Sequence, residues 1–238
     1  MTESKKMTWV EVLTAIRASR EGKEPKELHR LADVTRRLIL AMTSNRIPDQ
    51  DVTRALTLVE EAVVILEQQP RQRLFAGFAE SANSGDNTSF FDRSPVQGAS
   101  NPLAPPLRLE HQVDDEGRVT IVGTATFSAA YEGPPGCVHG GFIAAAFDEV
   151  LGSAQSLSGN PGMTANLSIN YKRPTPLFEE IVFEAELLRV EGRKIFTSGR
   201  SLHNGRVTAE GTGLFISVDF SRLADLAMKR IERVEGDA

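Results

Sequence analysis

The sequence predicts an α+β fold in which an antiparallel sheet wraps around one long helix, with a helical extension at the N-terminus. In the first third of the chain, apolar residues recur at helical spacing and glycine is nearly absent. From Leu107 onward, apolar and polar residues alternate in several stretches, which is typical of strands with one buried face. One apolar stretch, Gly140 to about Ser156, interrupts these strands. A helix enclosed by a sheet is expected to be apolar over most of its surface.

These patterns divide the 238 residues into four parts. We expect a helical extension over 1–80, a linker over 81–106, the domain that contains the sheet and the long helix over 107–220, and an amphipathic helix over 221–238. The linker is predicted because it is rich in Pro, Gly and small polar residues, which disfavour regular structure.

The extension is predicted to contain two or three amphipathic helices. Its apolar residues form two rows with helical spacing: Leu28, Leu31, Val34 and Leu38 in the first, and Val52, Leu56, Val59, Val63 and Leu66 in the second. Between the rows, the stretch from Pro48 to Asp51 offers an aspartate as the N-cap of the second helix.

The strand pattern is clearest over 119–127, 181–187 and 207–218. The stretch from Val190 to Lys194 is predicted to be a hairpin turn, because Gly192 tolerates the backbone angles of a tight turn. The predicted order is two strands, the long helix and four further strands.

Composition excludes some classes of function. The net charge of −5 leaves no basic excess for generic nucleic-acid binding, so an anionic ligand would need a local basic patch. The single cysteine, Cys137, cannot form an internal disulfide, and a small packed residue in a turn is favoured over a catalytic nucleophile. We expect a cytoplasmic protein without a signal peptide or membrane span, because the apolar runs are too short.

The start of the long helix is the first candidate site. His139 leads into Gly140 and Gly141, and glycines there leave backbone N–H groups open to a ligand. These groups lie at the positive end of the helix dipole and suit an oxygen that gains negative charge during acyl transfer.

Asp148 is the second candidate, because a carboxylate within an apolar helix is costly to bury without a role. It lies seven residues after Gly141, about two helical turns, and therefore on the same face. Its neighbour Glu149, one step round the helix, is more typical of a solvated residue.

The strand after the helix is predicted to carry a polar face, made of Thr164, Asn166, Ser168, Asn170 and Lys172. Such a face is typical of solvent exposure or of a polar tunnel. Lys172 and Arg173, with Arg193 and Lys194, would supply the local cationic patch that a ligand bearing phosphates requires.

Three separated motifs resemble those of the hotdog-fold acyl-CoA thioesterases. The motifs are Gly133-Pro134-Pro135-Gly136-Cys137-Val138-His139-Gly140-Gly141 with Asp148 nine residues after His139, then Thr164-Ala165-Asn166-Leu167 with Asn170-Tyr171-Lys172-Arg173-Pro174, and Val190-Glu191-Gly192-Arg193-Lys194. The resemblance spans about residues 90–219 and is strongest to the branch of phenylacetate-pathway thioesterases and thioesterase superfamily member 4.

The resemblance implies a hotdog fold, assembled as a homodimer or a dimer of dimers, with acyl-CoA as substrate and neither metal nor cofactor. It implies that the Gly140 or Gly141 amide of one chain polarises the thioester carbonyl. Asp148 of the partner chain would attack or activate water, with Thr164 orienting the water or Asp148. By position, Asn170, Lys172, Arg193 and Lys194 would contact CoA, and His139 belongs to the same catalytic turn, where a structural role is favoured.

Some relatives carry Asn or Gln where this chain has Gly133, so a side-chain contact to the carbonyl is absent at that position. Two alternatives stay open at this point. One is a non-catalytic acyl-CoA sensor with the N-terminal helices as its output, which would need no Asp148. The other is a hotdog enoyl-CoA hydratase, which would need an acid–base pair built around a histidine.

Overall fold

The computed structural model describes residues 25–69, 92–160 and 162–218. The predicted C-terminal helix over 221–238 lies outside the described residues, as do the first 24 residues of the extension. The division of the chain into domains stays a proposal.

The described part of the N-terminal extension, residues 25–69, contains two helices of equal length, α1 (Lys26–Ser44) and α2 (Asp49–Glu67), which confirms helices at both apolar rows. The predicted aspartate N-cap of α2 is wrong. Pro48 occupies the cap position in an extended conformation, and no side chain caps the helix. Asp49 and Asp51 lie within the first turn instead, where their charges face the positive end of the helix.

The remaining elements follow the predicted order. The strands are β1 (Arg108–Val113), β2 (Val119–Thr126), β3 (Gly162–Tyr171), β4 (Glu180–Glu191), β5 (Lys194–His203) and β6 (Arg206–Ser217), with α3 (Gly140–Ser156) between β2 and β3. They form one antiparallel sheet in the order β1-β2-β4-β5-β6-β3, so β1 and β3 are its edges. The predicted hairpin turn lies between β4 and β5, where Gly192 has a positive φ of 58°.

The core lies between the sheet and α3. Phe147 and Leu151 of α3 are almost fully buried, as are Phe183 and Ile195 of the sheet. Phe147 and Phe183 meet edge to face with ring centroids 5.4 Å apart. Gly211 of β6 allows this packing, because a Cβ there would lie 2.6 Å from the Phe147 ring. The apolar helix and the alternating strands therefore bury each other's apolar faces.

The segment 92–106, hereafter the strap, forms turns that pack on this core. Ala104 is fully buried, and Val96 packs against the core and accepts a hydrogen bond from the Leu107 amide. The Tyr131 hydroxyl donates to the Leu103 carbonyl at 3.1 Å. The strap is thus held to the domain along its length.

The first helix docks on the strap through polar contacts. His29 Nε2 lies 2.7 Å from Asp92 Oδ1, and Arg36 donates to the carbonyls of Ala99 and Asn101. Ala32, between these two side chains on the same face of α1, is buried. In contrast, no residue of α2 is buried.

Within the described ranges, no helix combines the length and the apolar character that crossing a membrane requires.

Candidate active site

The turn before α3 is held by backbone hydrogen bonds. The Gly133 amide donates to the Cys137 carbonyl, and the amides of Val138 and His139 donate to the carbonyls of Thr175 and Tyr131. These contacts tie the turn to both flanking segments. The first turn of α3 therefore begins at a fixed place in the domain.

His139 is the N-cap of α3. Its Nδ1 accepts a hydrogen bond from the Gly141 amide at 3.0 Å. The Gly140 amide has no hydrogen-bond partner among the described residues. Of the two predicted oxyanion donors, only Gly140 therefore keeps an open N–H, and the imidazole acts on the neighbouring amide.

Tyr171 holds the same turn from the other side, and sequence reasoning did not identify it. Its hydroxyl donates to the Gly140 carbonyl at 2.7 Å. That carbonyl and the Gly141 amide belong to one peptide group, so Tyr171 and His139 fix both ends of it. In the sequence, Tyr171 was marked only by its place in the second of the three motifs. Strand alternation put it on the face opposite Asn170 and Lys172, which was not predicted to bind a ligand.

Asp148 contacts β3. Thr164 Oγ1 donates to Asp148 Oδ1 at 2.8 Å, and Asp148 Oδ2 makes no hydrogen bond within the described part of the chain. The structure thus brings together the predicted carboxylate and the hydroxyl predicted to orient it. One carboxylate oxygen is held in place and the other is available to a water molecule or a thioester.

A bulge in β3 makes this contact possible. Thr164 pairs with Phe215 of β6 while Asn166 pairs with the adjacent Leu214, so one extra residue lies in β3. The extra residue reverses the alternation and turns Thr164 to the side of Leu167 and Ile169, which pack on the core. The prediction that Thr164 shares a face with Asn166, Ser168, Asn170 and Lys172 is therefore wrong.

Asp148 and Gly140 of the same chain are far apart. They are eight positions apart on α3, which corresponds to about 12 Å along the helix. They also meet different ends of β3, since Thr164 near its start contacts Asp148 and Tyr171 at its end contacts Gly140. One thioester carbonyl cannot contact both groups of a single chain.

The four predicted CoA-binding residues lie at opposite ends of the sheet. Tyr171, beside Asn170 and Lys172, pairs with Ala209 of β6, whereas Lys194 pairs with Ile216. Ala209 and Ile216 are seven positions apart on β6, or about 23 Å. A single chain therefore does not assemble them into one cationic patch.

Two of the cationic residues predicted to bind CoA, Lys172 and Arg193, already have partners within the chain. Lys172 forms an ion pair with Glu210 at 3.0 Å, and both side chains are partly exposed. Arg193 donates from Nε and from a terminal nitrogen to the Ser217 carbonyl. The Arg193 contact closes the end of the sheet where β4 turns into β5.

Glu149 is not a solvated neighbour of Asp148, and that interpretation is wrong. Its carboxylate accepts hydrogen bonds from Ser94 Oγ at 2.9 Å and from Gln97 Nε2 at 2.6 Å, both in the strap. Burial raises the pKa of Glu149, and the two hydrogen bonds oppose that rise while the nearby Asp148 charge adds to it. Sequence could not show this contact, since more than fifty residues separate the partners.

This raised pKa has a consequence for stability. The folded state holds the Glu149 proton more tightly than the unfolded state does. Ionisation of Glu149 therefore lowers the free energy of unfolding as the pH rises through the raised pKa. Glu149→Gln removes the ionisation and keeps an oxygen to accept from Ser94. We expect the variant to gain stability relative to the parent protein on going from about pH 4 to about pH 8. Urea denaturation at both pH values measures this difference.

The matched control is Glu186→Gln, because Glu186 is exposed on β4 and, among the described residues, accepts a single long hydrogen bond, from Ser198. If the stability difference between Glu149→Gln and the parent protein is the same at both pH values, the pKa of Glu149 is not raised in the folded state.

No metal centre is formed by the described residues, among which no three His, Cys, Asp or Glu side chains come together. Cys137 is a free, partly buried thiol in the turn before α3.

Comparison with known proteins gives the family. Residues 135–210 match the family model of the thioesterase superfamily. The chain is 46% identical over 90 residues to acyl-coenzyme A thioesterase THEM4 of Bos taurus, covering 37% of each chain. It is 34% identical over 148 residues to acyl-coenzyme A thioesterase THEM5 of Homo sapiens, covering 61% of this chain and 57% of that one. The matches therefore span well under two thirds of the length of these relatives.

A crystal structure of a thioesterase superfamily protein is similar over much more of the chain. It is 37% identical, has a TM-score of 0.66, and the match covers 79% of this chain and 94% of that chain. The chain belongs to the thioesterase superfamily. Membership confirms the resemblance and the predicted hotdog fold, and the region matched by the superfamily includes Gly140, Asp148 and Thr164.

Proposed function

We propose that this protein hydrolyses acyl-CoA thioesters to a free acid and CoA. The observation that carries the proposal is the hydrogen bond from Thr164 to Asp148, which leaves one carboxylate oxygen free. The names of the THEM4 and THEM5 relatives, both acyl-coenzyme A thioesterases, support the reaction class.

In the proposed reaction, the thioester carbonyl oxygen accepts a hydrogen bond from the Gly140 amide. This N–H stabilises the negative charge that develops on that oxygen. Asp148 either takes a proton from the attacking water or attacks the carbonyl carbon itself, forming a mixed anhydride that water then opens. In both routes the C–S bond breaks and CoA leaves as the thiol after gaining a proton.

We propose further that each site is shared between two copies of the chain. The edge strand β3 is exposed over most of its length, and one row of its backbone groups has no partner strand among the described residues. Antiparallel pairing with β3 of a second copy would place the start of one strand beside the end of the other. Asp148 and Thr164 of one chain would then lie near Gly140 and Tyr171 of its partner.

The same pairing supports the predicted contacts with CoA. Asn170 and Lys172 lie at the end of β3, and Arg193 and Lys194 lie at the end of the sheet where β3 begins. Two antiparallel copies would bring Asn170 and Lys172 of one chain towards Arg193 and Lys194 of the other. Together these residues would form a patch for the CoA phosphates. A homodimer is the minimal unit of this arrangement, and a dimer of dimers is compatible with it.

Hydrolysis by these groups needs no metal or cofactor, and we propose that none takes part. The cytoplasmic location stays a prediction that rests on the single cysteine and on the short apolar runs of the sequence.

Release of free thiol from acyl-CoA tests the proposal and its shared site in one experiment. The full chain is incubated with acetyl-, hexanoyl-, palmitoyl- and phenylacetyl-CoA, and free thiol is measured over time. We expect release from at least one substrate. A protein that binds acyl-CoA but releases no thiol over hours would be a sensor, which contradicts the proposal.

The second arm mixes two variants, Asp148→Asn and Gly140→Pro, after the subunits have been allowed to exchange. If the site is shared, half of the dimers at equal mixing contain one chain of each type, and each of these has one intact site. We therefore expect about a quarter of the parent activity in the mixture, far above either variant alone. No recovery after verified exchange would place both groups in one chain and overturn the shared site.

A further inference from the structure

Helix α2 exposes an apolar face that nothing in the described residues covers. Val52, Leu56, Val59, Val63 and Leu66 form one row along the helix, and each is more than a third exposed. Their spacing alternates between four and three residues, which is the spacing of a seam between two packed helices. Such a continuous apolar row typically marks an interaction surface.

The first helix exposes a second apolar face. Its docked side carries His29, Ala32 and Arg36. On the opposite side lie Val34, which is 51% exposed, and Met42, which is 65% exposed. Leu31 and Leu38 complete this face by helical spacing. Docking on the strap therefore leaves this face of α1 at least partly exposed, so another helix can reach it.

The edges of these two faces carry opposite charges. Beside the apolar row of α2, helical spacing places Asp49, Glu60 and Glu67 along one edge. Beside the exposed face of α1 it places Lys26, Arg30 and Arg37. All six side chains are exposed, and none takes part in an ion pair with another described residue. Asp33, near the basic edge of α1, pairs with Arg36, so this edge keeps a net positive charge that complements the acidic edge of α2.

The connection between the helices is short and extended. Four residues, 45–48, join α1 to α2, and both Asn45 and Pro48 adopt extended backbone conformations. With this connection, no residue of α2 is buried.

We propose that α2 packs on the exposed face of α1 from a second copy of this chain. The contact is isologous, because each copy supplies one α2 and one α1, and a two-fold axis then forms two such contacts. Opposite charges along the edges set which faces meet. The inference adds a helix contact to the proposed pairing of β3 strands, and it does not depend on the proposed hydrolysis.

The test is self-association of the full chain, measured by sedimentation velocity over a range of concentrations. Val59→Glu/Val63→Glu places two charges in the α2 row, and glutamate keeps helix propensity high. We expect self-association to weaken by about tenfold or more, because the charges would be buried in the contact. The matched control is Gln50→Glu/Thr57→Glu, which adds the same charge to the opposite side of α2. The control should associate like the parent protein, and circular dichroism should show unchanged helix content in both.

A mixing experiment separates contact with a second copy from contact within one chain. Val34→Glu/Met42→Glu disrupts the α1 face and leaves α2 intact. Mixed with Val59→Glu/Val63→Glu, it can form one intact contact between two chains, so association should exceed that of either variant alone. Parent-like association of Val59→Glu/Val63→Glu would overturn the proposal. Equal weakening by the control, or no recovery on mixing, would overturn it as well.

Discussion

Asp148→Asn is expected to lower kcat for thioester hydrolysis by about 10²–10⁴, the usual contribution of a positioned acid or base. The amide has nearly the same shape and still offers an oxygen to the Thr164 hydroxyl, so the contact to β3 is preserved. It cannot take a proton from water, and it is a poor nucleophile. Because the substitution removes a group that acts on the reacting atoms, KM should change much less than kcat.

The matched control for this variant is Glu149→Gln. It makes the same change from carboxylate to amide one residue further along α3, in a side chain held by Ser94 and Gln97. Its turnover should stay within a few-fold of the parent protein. Turnover of Asp148→Asn at the parent level across the acyl-CoA panel would remove Asp148 from the reaction.

Gly140→Pro is expected to lower kcat by about 10²–10³, the typical effect of losing one oxyanion donor. Proline deletes the N–H, and the backbone conformation at this position suits proline. Gly140 is the first helical residue, a position where proline is favoured. His139 before it has φ −61° and ψ 132°, which is the conformation that a residue preceding proline adopts.

Gly140→Ala separates the loss of the donor from crowding. A Cβ at this position lies 3.2 Å from the Tyr171 hydroxyl, so both substitutions press on the same side chain, but only alanine keeps the N–H. We expect the alanine variant to retain most of the activity that proline removes. Equal losses in the two variants would mean that crowding against Tyr171, and not the missing N–H, lowers the rate.

Much of the fold followed from local pattern. The limits of α3 and the hairpin at Gly192 could be predicted because helical and strand periodicity are set by the backbone of neighbouring residues. Gly140 and Asp148 were identified in the same way, as chemically unusual residues within one helix. One prediction from local sequence was wrong: the N-cap of α2 is Pro48 and not an aspartate.

Contacts between distant segments had to come from the tertiary structure. The strap hydrogen bonds to Glu149 join residues more than fifty positions apart, and no periodicity encodes such a meeting. Tyr171 reaches the Gly140 carbonyl only because the end of β3 lies beside the start of α3. In the same way, the sheet register separates Asn170 and Lys172 from Arg193 and Lys194.

The sequence by itself determined that this protein has one apolar helix against an antiparallel sheet, with a carboxylate and two glycines on that helix. Only the tertiary structure decided which of these groups are open and how they are held. The Gly141 amide donates its hydrogen bond to His139, which leaves the Gly140 amide open. One extra residue in β3 turns Thr164 towards Asp148. The physical reason is that side-chain alternation is a local property, whereas a bulge arises from the pairing of two strands and reverses that alternation wherever it occurs.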